Sequence, residues 1–453
     1  MRESTNIAAI KKVYFLGIGG NGMSAIARYF HSKGIVVSGY DKTPTALTKQ
    51  LEAEGIAVHF NDDVSAFPHD ADIVVYTPAI PQDNAILNWC KEHQLQLLKR
   101  SDMLQLISAD TYNICIAGTH GKTTTSTMVA HVLRDSGYGC NAFLGGIASN
   151  YGTNFWSYPN DVAVIEADEY DRSFLKLSPN VISISAMDPD HLDIYHTAAE
   201  MEDAFLEFTT KLKSGGLLLS KKGIQRESSL KGDHHCTYHL TDQTADIYTT
   251  RLEVKEGGYS YDVKGPSWQL DNVQLNMGGM HNVENSLVAI AVAKHLGIAD
   301  NLIAKAVSNF LGVKRRFEYV LHTTSRVFID DYAHHPEELK VLINGAKAMF
   351  PGKYCTVIFQ PHLFTRTRDL VEGFAEVLDM AEEVILLPIY PARELPIDGI
   401  TSEWLASKMK GRVSVMTKEE ALAYVSSNQP TMLITAGAGD IDKMVENIKN
   451  SLL

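Results

Sequence analysis

The chain has 453 residues and a net charge of −13, with 41 Lys and Arg against 54 Asp and Glu. At about 150 residues per domain, this length predicts roughly three domains. Nucleic acids and anionic membranes are bound through extended basic surfaces, so the acidic balance and the lack of a Lys/Arg-rich run predict that neither is a partner.

The cysteines and the N-terminal residues indicate in which cellular compartment the protein is expected. The five cysteines are scattered and none forms a Cys-x-x-Cys pair, so we expect reduced thiols rather than a disulfide framework or a zinc ribbon. The N-terminus is polar, and no apolar run approaches the ~18 residues of a membrane-spanning helix. We therefore expect a cytoplasmic protein with no membrane insertion. The sequence leaves a monomer and a homodimer equally open.

Strand-like apolar runs alternate with helical stretches in three blocks, which predicts an α/β fold with parallel sheets covered by helices. In the first block, residues 1–108, the run Val13–Leu16 leads into the glycine turn Gly17–Gly22, and Asp41 follows the next run. This is the context of a dinucleotide-binding turn, which alone favours NAD by about two to one. A UDP-sugar offers the same diphosphate and ribose groups, so it remains an alternative ligand.

The second block, residues 109–318, opens with an apolar run that enters Gly118-Thr-His-Gly-Lys-Thr-Thr124. Glycines let backbone N–H groups approach phosphate oxygens, a lysine supplies a point charge, and a hydroxyl can ligate Mg²⁺. The spacing Gly-x-x-Gly-Lys-Thr is two residues shorter than the usual phosphate loop. We still interpret it as an ATP site.

Acidic residues follow the next strands of this block. Val162–Ile165 runs into Glu166, where a phosphate-loop protein places a carboxylate for Mg²⁺, although a solvated acidic strand end is the alternative. His191 lies between two acids beyond Val181–Ser185, and a metal or phosphate role is as plausible there as an ordinary surface histidine. We interpret the polar stretch 221–266 as hairpins and loops. Its cluster His234, His235, Cys236 and His239 lies in a polar segment that shows no strand or helix pattern, and we interpret it as a disordered or hairpin surface, about four times more plausible than a metal site.

The third block, residues 319–453, contains strand-like runs at 326–330, 355–359, 383–387 and 432–435. His362 and Arg366 come just after the second of these runs. Because that position lies at the carboxyl edge of a parallel sheet, such a pair can bind the carboxylate of a free amino acid.

Taken together and in this order, the motifs closely resemble the Mur ligase family over essentially the whole chain. Each of these segments alone is weak evidence for the family, but nine of them in the same order are highly specific for it. They are the segments 17–24 (GIGGNGMS), 118–125 (GTHGKTTT), 166–169 (EADE), 190–193 (DHLD), 281–285 (HNVEN), 315–318 (RRFE), 330–336 (DDYAHHP), 360–362 (QPH) and 437–440 (GAGD).

The resemblance implies a three-domain ligase with a Rossmann-like N-terminal domain for a UDP-sugar, a central P-loop ATPase α/β domain, and a Rossmann-like C-terminal domain for an amino acid. Its implied reaction joins L-alanine to the lactyl carboxylate of UDP-N-acetylmuramate through an acyl phosphate, in peptidoglycan precursor synthesis. A sibling activity would attach a murein tripeptide to the same UDP-sugar. Two further alternatives are a nicotinamide dehydrogenase and a non-catalytic sensor of ATP or UDP-sugar.

The resemblance also implies roles for individual residues, with ATP and two Mg²⁺ ions as cofactors. Position 363 is Leu where many family members have Arg, which removes one charge from the expected carboxylate clamp. The implied catalytic residues are Lys122, Glu166 and His191, and the metal ligands are Thr123, Glu166 and His191. The implied UDP-sugar contacts are Gly19, Gly20, Asn21, Gly22, Met23, Ser24 and Asp41. The implied ATP contacts are Gly118, Thr119, His120, Gly121, Lys122, Thr123, Thr124, Asn282, Asn285, Arg316 and Asp331, and the amino-acid contacts are His362 and Arg366.

Overall fold

The computed structural model describes residues 9–77, 79–189, 192–392 and 394–453, with the backbone alone for Asp171, Leu192 and Asp193. Within these ranges the strands form three sheets of five, ten and six strands, each built from a consecutive stretch of chain. The predicted three-domain α/β fold is confirmed, whereas the boundaries at 108 and 318 stay predictions. The five cysteines all lie in the described ranges and are free.

The first sheet is wholly parallel, in the order β3-β2-β1-β4-β5. The strand order reverses beside β1, and such a switch point opens a ligand crevice at the carboxyl ends of the strands. Its elements are β1 Lys12–Leu16, α1 Asn21–Ser32, β2 Val36–Tyr40, α2 Ala46–Ala53, β3 Ala57–His59, β4 Ile73–Tyr76, α3 Ala85–Glu92, β5 Leu97–Lys99 and α4 Arg100–Ala109.

The second sheet has the order β15-β14-β13-β12-β11-β10-β6-β9-β7-β8, with antiparallel pairing confined to its two ends. Its first elements are β6 Tyr112–Ala117, α5 Lys122–Asp135, β7 Asn141–Ala148, β8 Thr153–Trp156, β9 Val162–Glu166, β10 Val181–Ile184, α6 Leu192–Tyr195 and α7 Ala198–Thr209. The remaining elements are β11 Leu217–Lys221, β12 His234–His239, β13 Ile247–Lys255, β14 Gly258–Lys264, β15 Gln269–Leu275, α8 Met280–His295 and α9 Asp300–Asn309.

The polar segment around His234 corrects one expectation from the sequence. It is a strand, β12, that pairs in parallel with β11 from Leu217↔His234 to Lys221↔Tyr238. The interpretation as a disordered or hairpin surface is wrong, because β12 pairs in parallel with both of its neighbours, β11 and β13, and this pairing overrides a polar composition. Among the side chains that the structure describes, no group of three or more His, Cys, Asp or Glu could hold a metal ion.

The third sheet has the order β16-β17-β21-β18-β19-β20, parallel except for the β16–β17 pair. All five residues of β18 are buried, as expected for a central strand covered by helices on both faces. Its elements are β16 Glu318–His322, β17 Val327–Asp331, α10 Pro336–Met349, β18 Cys355–Phe359, α11 Phe364–Asp369, α12 Val371–Leu378, β19 Glu383–Leu386, α13 Ser402–Ala406, β20 Val413–Val415, α14 Lys418–Asn428, β21 Met432–Ala436 and α15 Val445–Leu452.

The connection from the second sheet to the third is hydrogen-bonded to the end of β7. Ser149 donates its N–H to the Gly312 carbonyl (3.0 Å), and Lys314 donates to the Ile147 carbonyl (2.9 Å). The segment before β16 is therefore fixed beside the central sheet. In the described part of the chain, no helix is both long and apolar enough to cross a bilayer.

Candidate functional site

The phosphate loop connects β6 to α5 through two glycines with positive φ, Gly118 (116°) and Gly121 (76°). A Cβ atom on Gly118 would lie 2.3 Å from the Ser185 Oγ and 2.7 Å from the Ser185 backbone nitrogen. Only glycine fits this close approach without a shift of β10 or of the loop. The turn therefore presents the N-terminus of α5, with its free N–H groups, to a ligand.

Lys122, the first residue of α5, forms an ion pair inside the site. Its Nζ donates to the Gly118 carbonyl (2.9 Å) and to the Glu169 Oε1 (2.7 Å). Glu169 is fully buried, and burial raises the pKa of its carboxyl group while Lys122 opposes that rise. The structure thus holds the ammonium against the loop by means of a carboxylate that the motif did not single out.

Thr123 and Glu166 meet at the carboxyl edge of the sheet, where β6 and β9 end side by side. The Thr123 hydroxyl donates to the Glu166 Oε1 (2.9 Å), and the Gly145 N–H donates to the Oε2 (2.9 Å). Burial raises the pKa of Glu166, and these two donors oppose it. A hydroxyl and a carboxylate beside a phosphate loop fit Mg²⁺, which takes oxygen ligands and completes its shell with phosphates and water. His191, the third expected ligand, lies outside the described residues together with Asp190.

The other loop residues contact the segment after β10. Thr119 donates its N–H to the Ala186 carbonyl (3.1 Å), and its hydroxyl accepts from the Asp188 N–H (3.2 Å). The exposed His120 places its Nε2 3.2 Å from the Asp188 Oδ2. Thr124 is buried at the start of α5.

Asn282 and Asn285 share one face of α8, as their spacing predicted. The Asn285 amide donates to the Asn282 Oδ1 (3.1 Å), and Asn282 donates to the Gly278 carbonyl (2.7 Å). The Asn282 side chain is buried. The Asn285 side chain lies against the loop, since a Cβ on Gly121 would come 3.1 Å from the Asn285 Oδ1. The structure therefore brings Asn285 directly against the phosphate loop and places Asn282 behind it.

Arg316 and Asp331 lie where the chain enters the third sheet. Arg316 is exposed, with its guanidinium carbon 5.7 Å from the centre of the Tyr332 ring. Asp331 accepts N–H bonds from Phe317 (2.6 Å) and Ala333 (2.7 Å), and burial raises its pKa to about 6. Asp331 thus fixes the segment that carries Arg316.

A cleft of about 1110 Å³ separates the glycine turn of the first sheet from the end of β9 in the second. Asp41 closes the turn by accepting the Gly19 N–H at its Oδ2 (2.8 Å). Ser24 is the member of the expected sugar set that does not line the cleft, since its side chain is fully buried. The residues that line the cleft include Gly19, Gly20, Asn21, Gly22, Met23, Asp41, Arg100, Gly145, Glu166 and Asp168.

Arg100 is a residue of this cleft that the sequence motifs did not identify. It begins α4 directly after β5, and its Nη2 lies 3.5 Å from the Asp168 Oδ2 across the cleft. A Cβ on Gly22 would come 2.5 Å from the Arg100 Nη1. A cation beside the glycine turn suits an anionic ligand, and its place after a parallel strand is the signal that could have revealed it.

His362 and Arg366 are brought together after β18. The Arg366 Nη1 lies 3.2 Å from the His362 Nδ1, so this nitrogen accepts. Burial lowers the pKa of both side chains. The His362 ring stacks on Tyr390, another residue that the motifs missed, with centroids 5.8 Å apart. Leu363 has a φ of 69° at the start of α11.

Three family descriptions match consecutive parts of the chain. "Mur ligase family, catalytic domain" matches residues 12–112, "Mur ligase middle domain" matches 116–293, and "Mur ligase, glutamate ligase domain" matches 315–439. The UDP-N-acetylmuramate–L-alanine ligase of Flavobacterium johnsoniae is 43% identical over 99% of both chains. The protein of the same name from Cytophaga hutchinsonii is 44% identical over 98% of this chain and 97% of its own.

Solved structures are similar over the same extent. The UDP-N-acetylmuramate-alanine ligase of Thermotoga maritima has a TM-score of 0.83 and 28% identity, over 97% of this chain and 98% of its own. A murein peptide ligase of Psychrobacter arcticus has a TM-score of 0.68 over 98% of both chains. At 20% identity, the latter shows a shared fold alone.

Substitution of Gly118 tests the loop geometry. We expect Gly118→Ala to weaken ATP binding by roughly tenfold or more, about 1.4 kcal/mol, because the added methyl group displaces Ser185 or the loop. Isothermal titration with ATP measures the effect, and thermal unfolding checks the fold. Gly137→Ala is the matched control, since Gly137 lies at the other end of α5 with a φ of 81° and nothing within 4 Å of the added atom. Equal ATP affinity in both variants would contradict the prediction.

Proposed function

The chain belongs to the Mur ligase family, and on that premise we propose that it joins L-alanine to the lactyl carboxylate of UDP-N-acetylmuramate at the expense of ATP, in peptidoglycan precursor synthesis. The observation that carries the proposal is the position of Glu166. This carboxylate contacts Thr123 of the phosphate loop and also lines the cleft below the glycine turn. A nucleotide triphosphate and a sugar nucleotide bound at these two places would meet beside it.

The first step is phosphoryl transfer, in which a lactyl oxygen bonds to the γ-phosphorus and the bond to ADP breaks. Two anions approach each other, so positive charge and positioning dominate the barrier. The Lys122 ammonium would exchange Glu169 for the phosphates, the N–H groups of the loop would bind them, and Arg316 would approach from the linker. Asn282 and Asn285 would address the adenine, and Asp331 the ribose.

The metal requirement follows from the same charges. Two Mg²⁺ ions, when bound, would neutralise the facing oxyanions. Thr123 and Glu166 would hold one ion, and His191 would contribute to the second. The number of ions is part of the proposal.

In the second step the alanine amine attacks the acyl carbon, phosphate leaves, and the amine loses a proton. His362 and Arg366 would bind the carboxylate of L-alanine, because a guanidinium offers paired donors in the geometry of a carboxylate. Leu363 adds no charge to this pair. The sibling activity with a murein tripeptide remains the second candidate, since it would differ only in this pocket. A cytoplasmic location belongs to the proposal, and a monomer and a homodimer are both compatible with it.

Phosphate release tests the function directly. With ATP, Mg²⁺ and UDP-N-acetylmuramate, we expect L-alanine to drive release more strongly than glycine, L-serine or L-alanyl-γ-D-glutamyl-meso-diaminopimelate. The reaction without amino acid is the blank. Release driven by the tripeptide alone would assign the sibling activity. No release with any acceptor, together with binding of both nucleotides, would indicate a sensor, and NAD binding would favour the dehydrogenase.

Replacement of Arg366 tests the amino-acid clamp. Loss of a charge-assisted hydrogen bond costs about 1.5–3 kcal/mol, so Arg366→Ala should raise the KM for L-alanine by roughly ten- to a hundredfold. The KM for ATP should stay unchanged. Arg368→Ala is the control, because Arg368 lies on the same helix but is exposed and paired with Asp369 (2.7 Å). Equal effects of the two substitutions would remove Arg366 from the clamp.

A further inference from the structure

One residue of β7, Gly145, joins the glycine turn of the first sheet to the carboxylate of the phosphate site. The Asn21 side chain donates to the Gly145 carbonyl (2.9 Å), and the Gly145 N–H donates to the Glu166 Oε2 (2.9 Å). A Cβ on Gly145 would lie 2.4 Å from that same Oε2, so a side chain does not fit here. The Thr123 hydroxyl binds the other oxygen of Glu166. Hydrogen bonds therefore run without a break from the turn to the phosphate loop.

Asn154 on β8 fixes the first member of this chain of bonds. It is fully buried, and its Nδ2 donates to the Asn21 carbonyl (2.5 Å) and to the Ser24 Oγ (3.1 Å). Its Oδ1 accepts from the Arg28 Nη1 (2.6 Å). The NH₂ and C=O groups of this one side chain from the central sheet therefore both form hydrogen bonds with residues of helix α1.

The Arg28 guanidinium holds Asn154 in this orientation. Its Nε and Nη2 donate to the two oxygens of Glu54 at 2.6 and 2.9 Å. This bidentate ion pair fixes the orientation of the guanidinium, whose Nη1 donates to the Asn154 Oδ1. Asn154 therefore must present its NH₂ group to Asn21 and Ser24. Buried polar networks of this kind cost free energy when a member loses its partner, which makes their geometry well determined.

We propose that Asn154 is a positioning residue that couples ligand binding at the glycine turn to metal binding at the Glu166 carboxylate. Asn154 holds Asn21 against Gly145, whose N–H binds the Glu166 Oε2, so a UDP-sugar bound on the turn strengthens divalent-cation binding at Thr123 and Glu166 through this contact. By linkage, the cation strengthens UDP-sugar binding by the same factor. The inference rests on the proposed function, because it needs both ligands in their proposed places.

Equilibrium binding tests this coupling without turnover. The probe is Mn²⁺ with the non-hydrolysable analogue adenylyl imidodiphosphate, and free Mn²⁺ is followed by electron paramagnetic resonance with and without UDP-N-acetylmuramate. In the wild type we expect the sugar nucleotide to tighten Mn²⁺ binding by about fivefold or more. The coupling ratio is the Mn²⁺ affinity with the sugar nucleotide divided by the affinity without it. In Asn154→Asp this ratio should fall towards one, while the Mn²⁺ affinity without the sugar nucleotide stays within about twofold of the wild-type value.

The variants separate positioning from general stability. Asn154→Asp keeps an acceptor for Arg28 but places an oxygen against the Asn21 carbonyl. If thermal unfolding shows that the aspartate variant does not fold, Asn154→Ser, which adds no charge, is measured in its place. Gln50→Ala is the matched control, since it removes another bond between the same two sheets, from Gln50 Nε2 to the Gly152 carbonyl (3.3 Å). It should keep the wild-type ratio.

Three results would overturn the inference: a wild-type ratio of one, an unchanged ratio in a folded Asn154 variant, or an equal fall in Gln50→Ala. Failure of the wild type to bind UDP-N-acetylmuramate would overturn the proposed function as well. That result differs from the first three, in which the wild type binds both ligands.

Discussion

The hydrogen bond from the Thr123 hydroxyl to the Glu166 carboxylate is the contact on which the rest of the site depends. Thr123 follows β6 and Glu166 ends β9, and the parallel register Ile116↔Glu166 brings both to one edge of the sheet. Burial raises the pKa of Glu166, so its ionised form needs donors or a cation. The fold thus places a buried carboxylate between the two glycine turns, at the position where we propose a metal ion.

Local charge explains how an acidic chain can serve anionic substrates. The net charge is −13, yet cations lie at the sheet edges where the phosphates are expected. Two of them are paired with carboxylates, Lys122 with Glu169 and Arg100 with Asp168. Under the proposed function, ligand phosphates would replace these carboxylates, so binding would exchange one anion for another at each cation.

The sequence predicted those features that depend on local geometry. Glycines before Lys122, strand ends at Glu166 and the shared helix face of Asn282 and Asn285 all follow from spacing within one segment. Glu169 and Asn154 could not be assigned in this way, because their partners come from other elements; Asn154 and Asn21 are 133 positions apart. The strand β12 was missed for the same reason, since its neighbours stabilise it although its own residues are polar.

Transfer of ¹⁸O tests the central claim, that a lactyl carboxylate is activated by phosphorylation beside Glu166. UDP-N-acetylmuramate labelled in both oxygens of the lactyl carboxylate is turned over with ATP, Mg²⁺ and L-alanine, and the released phosphate is analysed by mass spectrometry. When the amine displaces phosphate from the acyl carbon, the bridging oxygen, which came from the carboxylate, leaves with the phosphate. Each released phosphate should therefore carry one ¹⁸O atom. Phosphate without label, formed at the same rate as the amide product, would contradict the account.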